Sequence, residues 1–173
     1  DILIYSSSWT EHLQHLRAVL TVLRDDNLCV KRSKCAFATT SVAYLGHVIS
    51  ASGVAMDGDK VAAVATWLQP TSARALRGFL GLAGYYRRFI KDFGTIAAPL
   101  TQLLRKEGFS WTDAATTAFR ALQAALSTAL VLQLPDYTKP FMVDCDASGT
   151  GFGAVLHQGA GPVTYERRRP RRG

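Results

Sequence analysis

The stretch 71–91, TSARALRGFLGLAGYYRRFIK, constrains the fold of this chain more than any other. At about 100° per residue, Leu76, Phe79, Leu80, Leu82, Ala83, Tyr86, Phe89 and Ile90 fall on one side of a helix. Arg74, Arg77, Gly81, Gly84, Arg88 and Lys91 gather on the opposite side. The spacing predicts a helix from a cap at Thr71 or Ser72 to about Lys91, with one apolar face to bury. A glycine inside a helix costs about 1 kcal/mol relative to alanine. Two of them within a basic stripe imply that something approaches that backbone closely. A phosphate chain suits both the charge and the missing side chains. A neighbouring helix suits the missing side chains alone.

Charge is segregated in the same sense. The net charge is +7, and residues 60–106 hold eight Lys and Arg against Asp92 alone. The tail ERRRPRRG, residues 166–173, holds five Arg against one Glu, whereas 1–59 and 107–165 are slightly acidic. Concentrated positive charge of this kind suits a nucleic-acid backbone. A solvated helix face is the plainer origin of a basic segment. The hydrophobic fraction of 48% in 173 residues suffices for a core in one domain or two small ones. Cys29, Cys35 and Cys145 form no CxxC pair and are expected to be reduced core thiols of an intracellular protein. No apolar run reaches the about 18 residues of a membrane span, so no membrane partner is expected.

Elsewhere the pattern alternates between helix and strand. ILIYS (2–6) has strand character, and 10–25 has Leu13, Leu16, Val19, Leu20 and Leu23 at helical spacing behind a Thr10 cap. LCVK, KCAFAT and SVAYLGHVIS are β-like, the last a hairpin arm with two different faces. KVAAVATWL predicts a short helix stopped by Pro70, and 95–104 another. Thr112 or Asp113 caps a further helix that turns Phe119, Leu122 and Leu126 inward. FMVDCDASGTGFGAVLHQ predicts a hairpin with Asp144 and Asp146 on one face. Trp67 and Trp111 are expected to pack in the interior rather than stack on bases. The arginine-rich tail breaks the apolar spacing; it suits a nucleic-acid-binding arm or the product of a shifted reading frame.

Seven stretches taken together, in order, resemble the pol polyprotein of gypsy-type LTR retrotransposons, in its reverse transcriptase followed by ribonuclease H. They are DILIYSSSWTEHLQHL, KCAF, YLGHVIS, the Pro70 region, LRGFLGLAGYYRRFIKDFGTIAAPLTQLL, FSWTDAATTAF and VDCDASGTGFGAVLHQ, covering roughly residues 1–158. The resemblance implies an α+β chain: the end of a palm with a primer-gripping hairpin (1–56), a helical thumb (57–106), the first part of an RNase H-like domain (107–158) and a basic, disordered tail (159–173). Asp1 matches the second aspartate of the family's tyrosine, any residue, Asp-Asp hairpin. Leu45, Gly46 and His47 match primer contacts, and the helix with Arg74, Arg77, Gly81, Gly84, Arg88 and Lys91 matches the duplex-tracking thumb. Asp146 matches the first ribonuclease carboxylate.

The same resemblance implies an RNA/DNA template–primer duplex as partner and Mg²⁺ or Mn²⁺ as the parent enzyme's cofactor. Two-ion chemistry needs carboxylates from several segments. The partners of Asp1 would lie before it, and those of Asp146 after Gln158, where the chain has GAGPVTYERRRPRRG. The chain therefore has the character of an excerpt. It is expected to bind no metal alone and to catalyse neither reaction, with Asp1 and Asp146 as remnants. A non-catalytic nucleic-acid-binding module and an inert relic of a decayed element are the alternatives. The hairpin ending at Gln158 is expected to be marginal for want of a third strand.

Overall fold

A computed structural model describes residues 1–105, 109–148, 151–159 and 161–168. In chain order its elements are α1 (Trp9–Asp25), β1 (Ser41–Tyr44), β2 (His47–Ser50), β3 (Gly53–Met56), α2 (Gly58–Ala65), α3 (Ala73–Tyr85), α4 (Phe93–Ile96), α5 (Ala98–Leu103), α6 (Asp113–Ser127), β4 (Met142–Ser148), β5 (Gly151–Gln158) and β6 (Gly161–Arg168). Tight 3-10 turns stand at Arg32–Lys34 and Arg87–Phe89. The strands form two antiparallel sheets, β1-β2-β3 and β4-β5-β6. This is the expected mixture of helix and sheet.

The helix foreseen for 71–91 starts where its cap predicts, with Ser72 Oγ accepting from the Ala75 amide (3.2 Å). It stops at Tyr85 rather than near Lys91. Two glycines weaken its last turns, and Tyr86 is drawn to a hairpin carbonyl across the fold. The chain continues through the 3-10 turn, which still buries Phe89 and delivers Ile90 to the core. Leu76, Phe79, Ala83 and Tyr86 are buried as the periodicity required, with Leu80 and Leu82 half-buried beside them.

The core lies among the helices. α6 packs against α2, α4 and α5, with Thr112 as its cap and Phe119, Leu122 and Leu126 buried. Phe79 meets Phe119 at 4.6 Å between ring centroids, Trp67 meets Phe79 edge-on and Trp111 meets Phe119 edge-on. Such aromatic pairs contribute about 0.5–1.5 kcal/mol each beyond burial. Both tryptophans are thus packing groups, and Trp111 Nε1 donates to Thr116 Oγ1 (2.9 Å). Gln123 Nε2 donates to the carbonyls of Val64 and Trp67, both at 2.9 Å, tying α6 to the end of α2 and the turn after it.

A strap at 131–133 ties the two sheets together. Val54 and Leu132 exchange backbone hydrogen bonds (2.8 and 2.9 Å), and the Gln133 amide donates to Pro162 (2.8 Å). Gln158, almost fully buried, accepts from the Asp136 amide (2.8 Å) and donates to the carbonyls of Asp136 (2.8 Å) and Lys139 (3.1 Å). It thereby anchors the turn that leads into β4. In that turn hydrogen bonds from Thr138 and Lys139 lower the Asp136 carboxyl to about 2.

Several expectations are corrected. The largest concerns the tail. Residues 161–168 are not disordered but form β6, paired with β5 from Gln158↔Gly161 to Phe152↔Arg168 with a register shift at Leu156/His157 that skips Val163. The C-terminal hairpin therefore has its third strand, and β6 packs on the 3-10 turn and α4 with Tyr165 against the core. The arginines had hidden an alternating strand, Pro162-Val163-Thr164-Tyr165. Residue 160 and residues 169–173 lie outside the described residues, as does Lys106 of the basic segment. Residues 2–6 and the runs LCVK and KCAFAT are not strands, because among the described residues no segment pairs with them.

Ser8, not Thr10, caps α1. Residues 95–104 are resolved into α4 and α5, and α2 ends at Ala65, well before Pro70. The cysteines are not core thiols: Cys29 and Cys145 are exposed and Cys35 is half-buried. No residue of α1 is fully buried: Leu16, Val19 and Leu23 are half-buried along a cleft shared with residues 1–4 and 29–44, and Leu13 and Leu20 stay exposed.

Gly53 carries the strap. Its φ is +131°, and an added Cβ would collide with the Leu132 carbonyl and the Val131 side chain. Gly53→Ala is expected to destabilise the fold by about 2–4 kcal/mol through strain plus overpacking. Urea unfolding with an unchanged m-value would register the loss.

Candidate nucleic-acid interface

The helical periodicity places Arg74, Arg77, Gly81 and Gly84 along one line of α3, and Arg88 and Lys91 continue beyond its end. Gly78 and Tyr85, which the sequence pattern did not single out, belong to the same line. All four cations are exposed, and none forms an ion pair or side-chain hydrogen bond among the described residues. Cβ atoms added at Gly78, Gly81 or Gly84 would meet nothing within 4 Å. No neighbouring helix therefore fills the space that the glycines leave. The helix is cut back to backbone on an open, positively charged surface.

At its C-terminal end this surface meets the tip of the β1–β2 hairpin. The tip is a two-residue turn with Leu45 at φ +48° and Gly46 at φ +74°. Glycine accepts that conformation freely, whereas for leucine it costs about 1–2 kcal/mol. Neighbouring groups hold the turn. Tyr85 Oη donates to the Leu45 carbonyl (2.5 Å), to which His47 Nδ1 also donates (2.9 Å). Tyr86 Oη donates to the Gly46 carbonyl (2.7 Å), which the Asp57 amide also reaches (3.3 Å). The His47 ring lies 5.4–5.6 Å from Tyr85, Tyr86 and Phe89, and its Nε2 is buried with no hydrogen-bond partner among the described residues. Leu45, Gly46 and His47 are thus brought against the end of the basic line. Tyr85 and Tyr86 were missed as site residues. A partial signal was present, since Tyr86 stands on the apolar face of the pattern and a buried phenol needs an acceptor for its hydroxyl.

The two matched carboxylates belong to different places. Asp1 is exposed, and its backbone carbonyl accepts from Tyr44 Oη (3.4 Å). Asp146 lies on the outer strand β4, paired with Gly153. With Asp144, Glu166, Arg87 and Lys91 it lines a cleft of about 570 Å³ between sheet β4-β5-β6 and the 87–101 segment. Glu166 is an acid beyond Gln158 in this cleft, 3.8 Å from Arg87. Asp144 lies 3.0 Å from His157 Nε2, at ion-pair distance but outside hydrogen-bond alignment. Among the described residues no group of three or more His, Cys, Asp or Glu is placed to hold a metal ion. The donors present do not make up a two-ion site. No described helix is long and apolar enough to cross a membrane.

A strand hairpin pinned to a basic helix, followed by an antiparallel sheet with acids on its outer strand, is the arrangement of a reverse transcriptase where palm and thumb lead into an RNase H-like unit. Comparison with known proteins agrees. Residues 1–49 match the family described as reverse transcriptase (RNA-dependent DNA polymerase), and residues 111–169 match the RNase H-like domain found in reverse transcriptase. The chain is 39% identical over 167 residues to the Pol polyprotein of transposon 297 of Drosophila melanogaster, covering 95% of this chain and 16% of that protein. It is 38% identical over 177 residues to that of transposon gypsy, covering 17% of it. An uncharacterised mitochondrial protein of Arabidopsis thaliana is 46% identical over 132 residues, 75% of this chain and 84% of that protein. The foamy viral protease–reverse transcriptase superposes with a TM-score of 0.85 at 25% identity, in structures with double-stranded DNA and with an RNA/DNA hybrid; the chain covers 30% and 23% of those chains. The chain belongs to the Pol family of gypsy-type LTR retrotransposons.

Burial raises the Tyr86 hydroxyl above its ordinary value of 10.0, with smaller contributions from Tyr85 and Asp57. Because the folded value is the higher one, its contribution to stability is complete below pH 10 and is lost as pH rises through the folded value. Ultraviolet titration of tyrosinate should show one component ionising above pH 10, absent from Tyr86→Phe.

Proposed function

We infer that this chain grips a template–primer duplex for an RNA-directed DNA polymerase with an associated ribonuclease H. The hairpin tip Leu45-Gly46-His47 meets the primer end. Arg74, Arg77, Arg88 and Lys91 contact phosphates, and Gly81 and Gly84 let the backbone approach them. The units are a palm end (1–56), a thumb (57–106) and the first part of an RNase H-like domain (107–158), to which β6 adds a strand. The observation that carries this reading is the open glycine line flanked by cations without partners among the described residues. Similar folds in complexes with double-stranded DNA and RNA/DNA hybrid support it.

The whole enzyme would use Mg²⁺ or Mn²⁺ to copy RNA into DNA and to cleave the RNA of the hybrid. Among the described residues no group of carboxylates around Asp1 or Asp146 is placed to hold a metal ion, so no step is routed through metal here. In this reading the 173 residues alone hold nucleic acid and do not turn it over.

Two outcomes follow. Primer extension on poly(rA)–oligo(dT) with either ion should be absent; extension that Asp1→Asn abolishes would overturn the non-catalytic reading. Binding should be electrostatic, with about four phosphates neutralised and a log–log salt slope of roughly −3 to −4 on B-form DNA. The double variant Arg77→Ala/Arg88→Ala should flatten that slope by about two units. An unchanged slope would place binding elsewhere.

A further inference from the structure

We propose that Ser6, His12 and His15 form a site for a borderline divalent cation such as Zn²⁺, separate from the carboxylates matched to Mg²⁺ or Mn²⁺ chemistry.

The site is built by local sequence. The run Ser6-Ser7-Ser8 leads into α1, and each serine bonds to that helix. Ser8 Oγ caps it by accepting from the Glu11 amide (3.3 Å), and Ser7 Oγ donates to the Glu11 carboxylate. Ser6 Oγ lies 3.3 Å from His12 Nδ1 and 2.8 Å from His15 Nδ1. Residues three apart are neighbours on a helix surface. Both rings turn the same nitrogen towards one oxygen.

A serine hydroxyl has one proton to donate. It serves one Nδ1, and the other ring must bring its own proton to the shared oxygen. The two imidazoles are therefore held in opposite tautomers. A cation removes that demand, because both nitrogens and the oxygen then turn lone pairs towards a single centre.

The spacing suits such an ion. Tetrahedral bonds of about 2.0–2.1 Å separate the donors by about 3.3 Å. The His12 distance equals that value and the His15 distance falls about 0.5 Å short of it. Imidazole nitrogen favours Zn²⁺, Ni²⁺ and Cu²⁺ over Mg²⁺. The third donor is a hydroxyl; no third His, Cys, Asp or Glu joins the pair among the described residues. His12 is half-buried and His15 exposed, so the ion has a path in and water can complete its shell. Glu11 stands one turn before His15, and the Ser7 hydrogen bond holds its carboxyl below the usual value. It supplies negative potential beside the ion. Residues 2–6 pair with no strand among the described residues. An ion bound to Ser6 and both histidines would fasten that segment to α1.

Trp9 supplies a reporter, since its ring stacks on His12 at 5.9 Å between centroids and is 61% exposed. Ni²⁺, which quenches indole emission and does not oxidise thiols, is the probe, added to the full chain. The quench should saturate, be reversed by Zn²⁺, be lost on acidification as protons take the nitrogens, and be indifferent to excess Mg²⁺. It should vanish in Trp9→Phe. His12→Ala and His15→Ala should each weaken binding at least about tenfold, because one imidazole no longer chelates. His15→Gln keeps a polar partner for Ser6, so its metal-free thermal midpoint should match wild type while binding is still lost. Ser6→Ala should weaken binding about two- to tenfold. Wild-type protein without a saturable quench would overturn the proposal. So would undiminished affinity in either histidine variant, which would assign the ion to the cysteines. Affinity lost in Asp1→Asn would assign it to that carboxylate and overturn the proposal equally. None of these outcomes bears on the duplex-gripping reading.

Discussion

One buried phenol holds the arrangement together. Tyr86 closes α3, puts its ring beside Phe89 and His47, and bonds its hydroxyl to Gly46 across 40 residues of sequence. That bond, together with the Tyr85–Leu45 bond and the His47 ring contacts, joins the hairpin tip to the end of the basic helix. Together they form one surface. A neutral hydrogen bond contributes about 0.5–1.5 kcal/mol net, but leaving the Gly46 carbonyl short of a partner in a part-buried position costs about 1–3 kcal/mol. The same bond helps to end the helix at Tyr85 and sends the chain into the 3-10 turn, on which β6 then packs.

What could be read from the amino-acid order follows from range. The apolar face of α3, the inward residues of α6, the cap at Thr112 and the 142–158 hairpin are local patterns, and all appear. The failures involve partners distant in sequence. ILIYS has strand chemistry, but a strand exists only when another pairs with it. α1 has a helical apolar stripe, but nothing in the stripe says what will cover it. β6 was obscured because its arginines outweighed the alternation of Val163 and Tyr165. For the site, the split between glycine with arginine and apolar faces was visible in 71–91. The hydroxyl clamp at Leu45-Gly46 was not, since it joins residues 40 positions apart.

The two faces of the molecule divide its chemistry. Cations without partners among the described residues lie along α3 and beyond it, whereas acids gather on the β4-β5-β6 side, in a cleft whose opposite wall carries Arg87 and Lys91. The 131–133 strap, bonded to β3 on one side and β6 on the other, keeps the two sheets in fixed relation. Basic helix and acidic strand are thus parts of one packed body.

The central claim is that the glycine line faces a ligand rather than another part of the protein. Replacing Gly81 and Gly84 together by leucine tests it most directly, by following stability and duplex affinity in the same protein. A Cβ at either position meets nothing within 4 Å, and each replacement removes a helix penalty of about 0.8–1 kcal/mol. The account predicts a more stable protein that binds an RNA/DNA hybrid markedly more weakly. A more stable protein with undiminished affinity would contradict it.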